Sequence, residues 1–240
     1  MALPENVTPI YELTQPSTGN RIKYKPFLVK QEKILLMAIN SGEESDIIDA
    51  ALQMIKECLI PVLDLETLPM YDVEYFFICM RAKSIGDSIE QEFTCNNIVG
   101  EIACGNKMNV KITSDEVRLV NEDVLKNNTI MLTDDMGVKM KSPPYSILKK
   151  LNSADSEGAS STVFLMNCID IIFDKDQIYP VKNNTKEELS HFIDGLTKQQ
   201  FDKLQVYVDS LPYLAIEKNI QCPKCGFDHK IKIKEPMDFF

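Results

Sequence analysis

Two stretches far apart in the chain follow one pattern, and each carries two cysteines. In "FTCNNIVGEIACGNKMNVKI" an apolar residue, Phe93, lies two before Cys95, and Cys104 is followed at once by Gly105. In "IQCPKCGFDHKIKI" the same places are taken by Ile220, Cys222, Cys225 and Gly226. Both then reach an apolar-Lys-Ile triplet, Val110-Lys111-Ile112 and Ile231-Lys232-Ile233, starting six residues after the second cysteine. The pattern reads as a strand, a turn that presents two thiols, and a second strand, used twice. Glycine after the second thiol permits a left-handed turn that aims backbone N–H groups at sulfur. Cys95, Cys104, Cys222 and Cys225 are therefore the expected ligands of one tetrahedral zinc ion. Four protein ligands leave no position for water or substrate, so the ion is expected to be structural. Because its two halves lie about a hundred residues apart, the site closes a long loop of chain, and zinc bound to thiolates supplies on the order of 10 to 16 kcal/mol to folding.

A redox C-x-x-C pair wants a helix beginning at its second cysteine, whereas a strand follows Cys225. The Cys95 to Cys104 spacing exceeds the two to four residues usual in such a turn, so "NNIVGEIA" is expected to bulge outward. His229 could replace a cysteine as ligand, but it lies in the strand after the turn and four thiols already suffice. Cys58, Cys79 and Cys168 fall in helical or apolar segments and read as small buried hydrophobes.

Composition bounds the rest. At 240 residues the chain holds one large domain or two small ones. Lys plus Arg number 26 against 36 Asp plus Glu, a net charge of −10, which repels nucleic acid and anionic membranes. The longest apolar runs, 34–39 and 75–80, are about a third of the ~20 residues a bilayer span needs. No basic start and apolar stretch marks a secretory signal, so a cytosolic, reducing setting is expected, in which seven cysteines favour metal over disulfides.

Along the chain, strands at 10–13 and 21–24 flank a turn rich in Pro, Ser and Gly and predict a hairpin. Helical periodicity follows at 28–40, 45–59 and 70–81, with Ile48, Ala51, Leu52, Ile55 and Leu59 on one stripe. Strand-like alternation returns over 88–112. "TIMLTDDMGVKM" predicts a hairpin turning at 134–137, Pro143 and Pro144 break the chain, and "NSADSEGASS" reads as a polar linker. The run 161–173 is apolar nearly all round and predicts a buried central helix. Thr185 with Glu188, and Thr197 with Gln200, form capping boxes that start two further helices. The second of these carries Phe201, Leu204, Val208 and Leu211 on one face and stops before Pro212; a strand follows at 214–220. The expected fold class is α+β in three parts: a hairpin with three helices over 1–87, a split zinc ribbon from 88–112 with 219–240, and a mainly helical insertion with a short hairpin over 113–218.

Signatures of catalysis are missing. No two of the nine glycines are closer than five residues, and Gly105 is followed by Asn106 where a phosphate-binding loop needs lysine. "DIIFDKD" (Asp170, Asp174, Asp176) lacks the glycine and closing glutamate of a calcium loop and reads as a solvated helix end. His191 and His229 are the only histidines, and neither has a nucleophile arranged beside it. No catalytic residue and no small-molecule substrate are expected. Lys224, Lys230, Lys232 and Lys234 make a basic strand, so a nucleic-acid-binding or regulatory zinc ribbon is the alternative function. Against it, only Phe227 is available for base stacking, and strand lysines also serve to discourage edge pairing. "MDFF" at residues 237–240 offers Phe239 and Phe240 as a plug for the protein's own core or as a tag for a partner.

The order of parts also resembles a known family. "GNRIKYKPFLVKQEKILLMAI", a cysteine-bearing strand, "EELSHFIDGLTKQQFDKLQVYVDSLPYL" and "CPKCGFDHKIKIKEPMDFF" resemble the baseplate hub assembly proteins of T-even-like bacteriophages, over about residues 10–240. The strings "KYKPFLVKQEK" and "FIDGLTKQQFDKL" carry most of the likeness. The resemblance implies a non-enzymatic tail protein that helps assemble the central hub of a contractile tail's baseplate. Its implied partners are other hub and tail proteins, and its implied setting is the host cytoplasm during assembly or the virion baseplate. No catalytic residues carry over, and the zinc ligands come from the repeated cysteine pattern alone.

Overall fold

The computed structural model describes residues 7–147, 151 and 157–233. The N-terminal hairpin forms as expected: β1 (Tyr11–Thr14) and β2 (Arg21–Tyr24) pair antiparallel with Leu13 opposite Ile22, and β3 (Leu59–Ile60) joins the β2 edge. Helices α1 (Val29–Ser41), α2 (Glu44–Cys58) and α3 (Met70–Ser84) match the three periodic segments. Gly42, at φ 76°, ends α1 in the left-handed conformation that glycine adopts freely. Leu13, Ile22, Tyr24 and Phe27 from the hairpin region meet Leu35, Leu52, Ile55, Phe76 and Met80 from the helices in a first core. Each such side chain stabilises the fold by roughly 1.5 to 3 kcal/mol on burial.

Helix α3 is apolar on two faces because it serves two cores. Val73, Phe76, Phe77 and Met80 face the first core, while Tyr71 and Ile78 join a second with Val110, Ile112, Leu214, Ile216, Ile231 and Ile233. The triplets singled out in the sequence, 110–112 and 231–233, thus pack into one core beneath α3. Its first turn also holds a fully buried carboxylate. Asp72 accepts hydrogen bonds from the Gln15 amide (2.6 Å), the Ser17 backbone N–H (2.9 Å) and the Ser17 hydroxyl, which ties the β1–β2 turn to the helix.

The remaining elements are β4 (Ser88–Thr94), β5 (Ile98–Val99), β6 (Ile102–Ala103), β7 (Lys107–Thr113), β8 (Arg118–Val120), β9 (Thr129–Met131), β10 (Gly137–Met140), α4 (Glu157–Cys168), β11 (Ile169–Phe173), β12 (Ile178–Pro180), α5 (Lys186–Asp194), α6 (Lys198–Asp209), β13 (Tyr213–Gln221) and β14 (Asp228–Ile233). Strands β4 and β7 pair antiparallel, β5 and β6 form a small hairpin between them, and β13 lies between β14 and β8. Both capping boxes form: Thr185 Oγ1 accepts from the Glu188 N–H and Thr197 Oγ1 from the Gln200 N–H, while Glu188 and Gln200 accept from the threonine backbones.

Four expectations are corrected between β8 and β13. The run 161–173 is not one helix: α4 stops at Cys168 and residues 169–173 form β11, an inner strand of the sheet β12-β11-β10-β9. Periodicity does not separate a short buried strand from a helix, and β-branched Ile169, Ile171 and Ile172 suit the strand. The hairpin expected in a mainly helical insertion is accordingly half of a four-stranded sheet. Of the supposed linker, 157–161 belongs to α4 and 152–156 lies outside the described residues. "DIIFDKD" is no helix end: Asp174 shapes the β11–β12 turn, accepting from the Asp176 and Gln177 N–H groups (2.8 Å each) and the Tyr179 hydroxyl (2.9 Å).

A third core under this sheet gathers Val138, Met140, Leu165, Ile169, Leu189 and Leu204 around Cys168. Burial pushes the Cys58 and Cys79 thiols up to about 11 and that of Cys168 to about 12, as expected of cysteines used for packing. No helix among the described residues is long and apolar enough to cross a membrane.

The Asp72 cluster yields a test. Asp72→Ala removes the main acceptor of the buried Gln15 amide, which keeps only the Ser17 hydroxyl, and frees the exposed Ser17 donors to water, so the expected loss is about 1 to 3 kcal/mol. Urea unfolding should show a lower midpoint at unchanged slope.

Candidate metal centre

The two cysteine turns have the same backbone architecture. In each, the first cysteine directly follows a strand and its N–H donates to the carbonyl two residues beyond the second cysteine: Cys95 to Asn106 and Cys222 to Phe227, both 2.8 Å. In each, the glycine N–H returns to the first cysteine's carbonyl, Gly105 to Cys95 at 3.0 Å and Gly226 to Cys222 at 2.8 Å. Both glycines are left-handed, with φ of 62° and 71°. The "NNIVGEIA" insert is accommodated as the β5–β6 hairpin, which stands out from the first turn with Ile98 and Ile102 at 67% and 75% exposure. It leaves the cysteine geometry in place because the widening occurs between the two ends of the turn, whose hydrogen bonds match those of the second turn.

All four expected ligands come together. The sulfurs of Cys95, Cys104, Cys222 and Cys225 lie within 4.8 Å of one another, with Cys95 and Cys225 at 3.6 Å and Cys104 and Cys222 at 3.9 Å. Both close pairs join one turn to the other. Metal–sulfur bonds of about 2.3 Å in a tetrahedron separate sulfurs by about 3.8 Å, whereas a disulfide needs about 2.05 Å. The spacing and the all-thiol donor set therefore fit a soft divalent ion. Cys95, Cys104 and Cys222 are buried and Cys225 is half-buried.

The surroundings favour negative charge on sulfur in the second turn. Burial resists ionisation of Cys222, but the backbone N–H groups of Cys225 and Lys224 aimed at its sulfur, with the adjoining thiols, bring it down to about 6. The Phe227 backbone N–H likewise lowers Cys225. Burial pushes Cys95 the other way, to about 12. Side chains that were not expected to support the thiols also converge here. Asn97 Nδ2 lies 3.6 Å from the Cys225 sulfur, Asn106 Nδ2 3.6 Å from that of Cys222, and the Lys224 ammonium donates to the Cys104 carbonyl at 3.1 Å. A signal was present: Asn97 and Asn106 each stand two residues after a cysteine of the first turn. His229 Nε2 approaches the Cys95 sulfur to 3.1 Å.

Two lysines of the basic strand are engaged within the protein: Lys230 and Lys232 share the carboxylate of Glu217, each at 2.9 Å. On the neighbouring strand Lys218 binds Glu116 at 2.8 Å. Lys234, Phe239 and Phe240 lie outside the described residues.

A family model described as T4 bacteriophage base plate protein matches residues 8–240. No curated protein and no solved structure matches the chain at a significant level.

The Glu217 cluster predicts a pH response. Hydrogen bonds from Lys232 and Lys230 lower the Glu217 carboxyl from its ordinary 4.5 to about 2. The folded-state pKa lies below the unfolded one, so this contribution is fully present above about pH 4.5 and is lost as pH falls through about 2. Carboxyl NMR should place the Glu217 midpoint near 2, and Lys232→Met should move it upward.

Proposed function

Because the chain belongs to the T4 bacteriophage base plate protein family, we propose that it is a structural, non-enzymatic tail protein that takes part in assembling the central hub of the baseplate. The observation that carries this reading is the extent of the match, residues 8–240, which takes in both cysteine turns and everything between them. Its partners are other hub and tail proteins, met in the host cytoplasm during assembly, and its destination is the baseplate of the tail. The work is done by protein–protein contact, which needs a rigid shape more than a reactive group.

Rigidity has an evident source. Cys95, Cys104, Cys222 and Cys225 would hold one structural zinc, making a split ribbon of 88–112 and 219–240. When bound, zinc supplies cohesion between thiolates that would otherwise repel. The protein's own part is to deliver four sulfurs at tetrahedral spacing and to keep water away from three of them. On this reading 1–87 and 113–218 are bodies attached to the ribbon, and the ribbon sets where each sits.

Affinity purification from infected cells should recover other tail proteins. Recovery of salt-sensitive nucleic acid alone would overturn the proposal in favour of a nucleic-acid-binding ribbon, a reading that the pairing of Lys230 and Lys232 with Glu217 weighs against. For the metal, native mass spectrometry of the reduced protein should show one zinc, and Cys225→Ser should lose it together with cooperative unfolding. A metal-free wild type of equal stability would end the ribbon reading.

A further inference from the structure

The two cysteine turns are not equally supplied with hydrogen-bond donors. In the second, the Cys222 sulfur receives backbone N–H groups from both Lys224 and Cys225. In the first, the Cys95 sulfur receives the backbone N–H of Asn97, but the Cys104 N–H, counterpart of the Cys225 N–H, is turned away to the Asn97 carbonyl at 2.8 Å. This diversion follows from the eight-residue insert, whose small hairpin must close on itself beside the cysteine. The first turn is left one donor short at a buried sulfur, where unmet hydrogen-bonding capacity matters most.

A side chain from the other turn fills the gap. His229 sits opposite Ile220 in the β13–β14 pair, half-buried, and its Nε2 lies 3.1 Å from the Cys95 sulfur. Phe227, two residues earlier on the same face, meets the imidazole edge-on with ring centroids 4.8 Å apart and fixes its plane. The arrangement also points to a donor and not a ligand. The four thiols are the mutually close set, all within 4.8 Å of one another, and the imidazole is not a member of it. At 3.1 Å its Nε2 is within hydrogen-bond reach of the Cys95 sulfur, which leaves Cys95 itself as the ligand.

We propose that His229 is a positioning residue of the four-cysteine centre: its Nε2–H donates to the Cys95 sulfur and replaces the backbone donor lost to the insert. The proposal rests on the metal-site reading above. Donors of this kind orient the ligand and moderate its charge, and their loss weakens metal binding by roughly 10- to 100-fold. With Asn97 and Asn106, whose amides also reach sulfurs of the opposite turn, His229 makes each half of the centre depend on side chains of the other.

The test uses the full chain, loaded with zinc for affinity and with cobalt(II) for spectroscopy. His229→Phe keeps the ring and removes the donor; His229→Gln keeps an N–H of similar reach. Competition against a chromophoric chelator should show zinc held about 10- to 100-fold more weakly in the phenylalanine variant and largely recovered in the glutamine variant. The sulfur-to-cobalt charge-transfer bands should shift in the first and return in the second. X-ray absorption should count four sulfurs in all three proteins. Unchanged affinity and bands in His229→Phe, or three sulfurs and one nitrogen in the wild type, would overturn the proposal. A wild type that binds no metal would instead sink the metal-site reading itself, so the two failures are told apart.

Discussion

Four sulfurs meeting across more than a hundred residues of chain is the constraint around which this protein is arranged. Cys104 and Cys222 are 118 positions apart, and Cys95 and Cys225 are 130. The entropy of closing so long a loop rises only with the logarithm of its length, so each doubling adds about 0.6 kcal/mol. A long segment can therefore be hung between the two turns at little more cost than a short one. The requirement falls on the turns, which must present thiols at nearly the same geometry. They do so with one hydrogen-bond scheme and one left-handed glycine apiece.

Helix α3 carries that constraint into the rest of the fold. Its two apolar faces make it the shared wall of the hairpin core and the core beneath the paired strands. Asp72 at its start adds a polar lock, since a buried carboxylate held by three donors tolerates little displacement. The core around Cys168 is built differently, with a four-stranded sheet covered by α4, α5 and α6. Its strands pack tightly: a Cβ on Gly137 would stand 2.5 Å from the Phe173 ring and 3.0 Å from the Ile130 carbonyl oxygen.

Much of this was legible in the sequence because it rests on local chemistry. Capping boxes at Thr185 and Thr197, the opening hairpin and the three helices are each specified by neighbours a few residues apart. The meeting of the cysteines is a long-range fact, but it was readable because a local pattern occurs twice. The switch from helix to strand at Cys168 was not readable. Its cause is the edge offered by β10, a tertiary circumstance that an apolar run does not encode. Asn97, Asn106 and His229 were missed or set aside as partners of sulfur for a related reason. Each acts on a thiol of the opposite turn, more than a hundred residues away along the chain, so the position of Asn97 and Asn106 two residues after a cysteine marks them without showing which sulfur they reach.

The separation of the two turns also imposes an order in time. At about 5 to 20 residues per second, the ribosome needs roughly 6 to 24 s to travel the 118 positions from Cys104 to Cys222. Throughout that interval the first turn is made but has no counterpart, while the hairpin, α1, α2 and α3 already have all the fully buried partners of their own core. The four-sulfur cluster can be completed only once Cys225 has been made. Its closure is thus a molecular record that synthesis has passed both turns, and a chain cut short before Cys222 cannot counterfeit it.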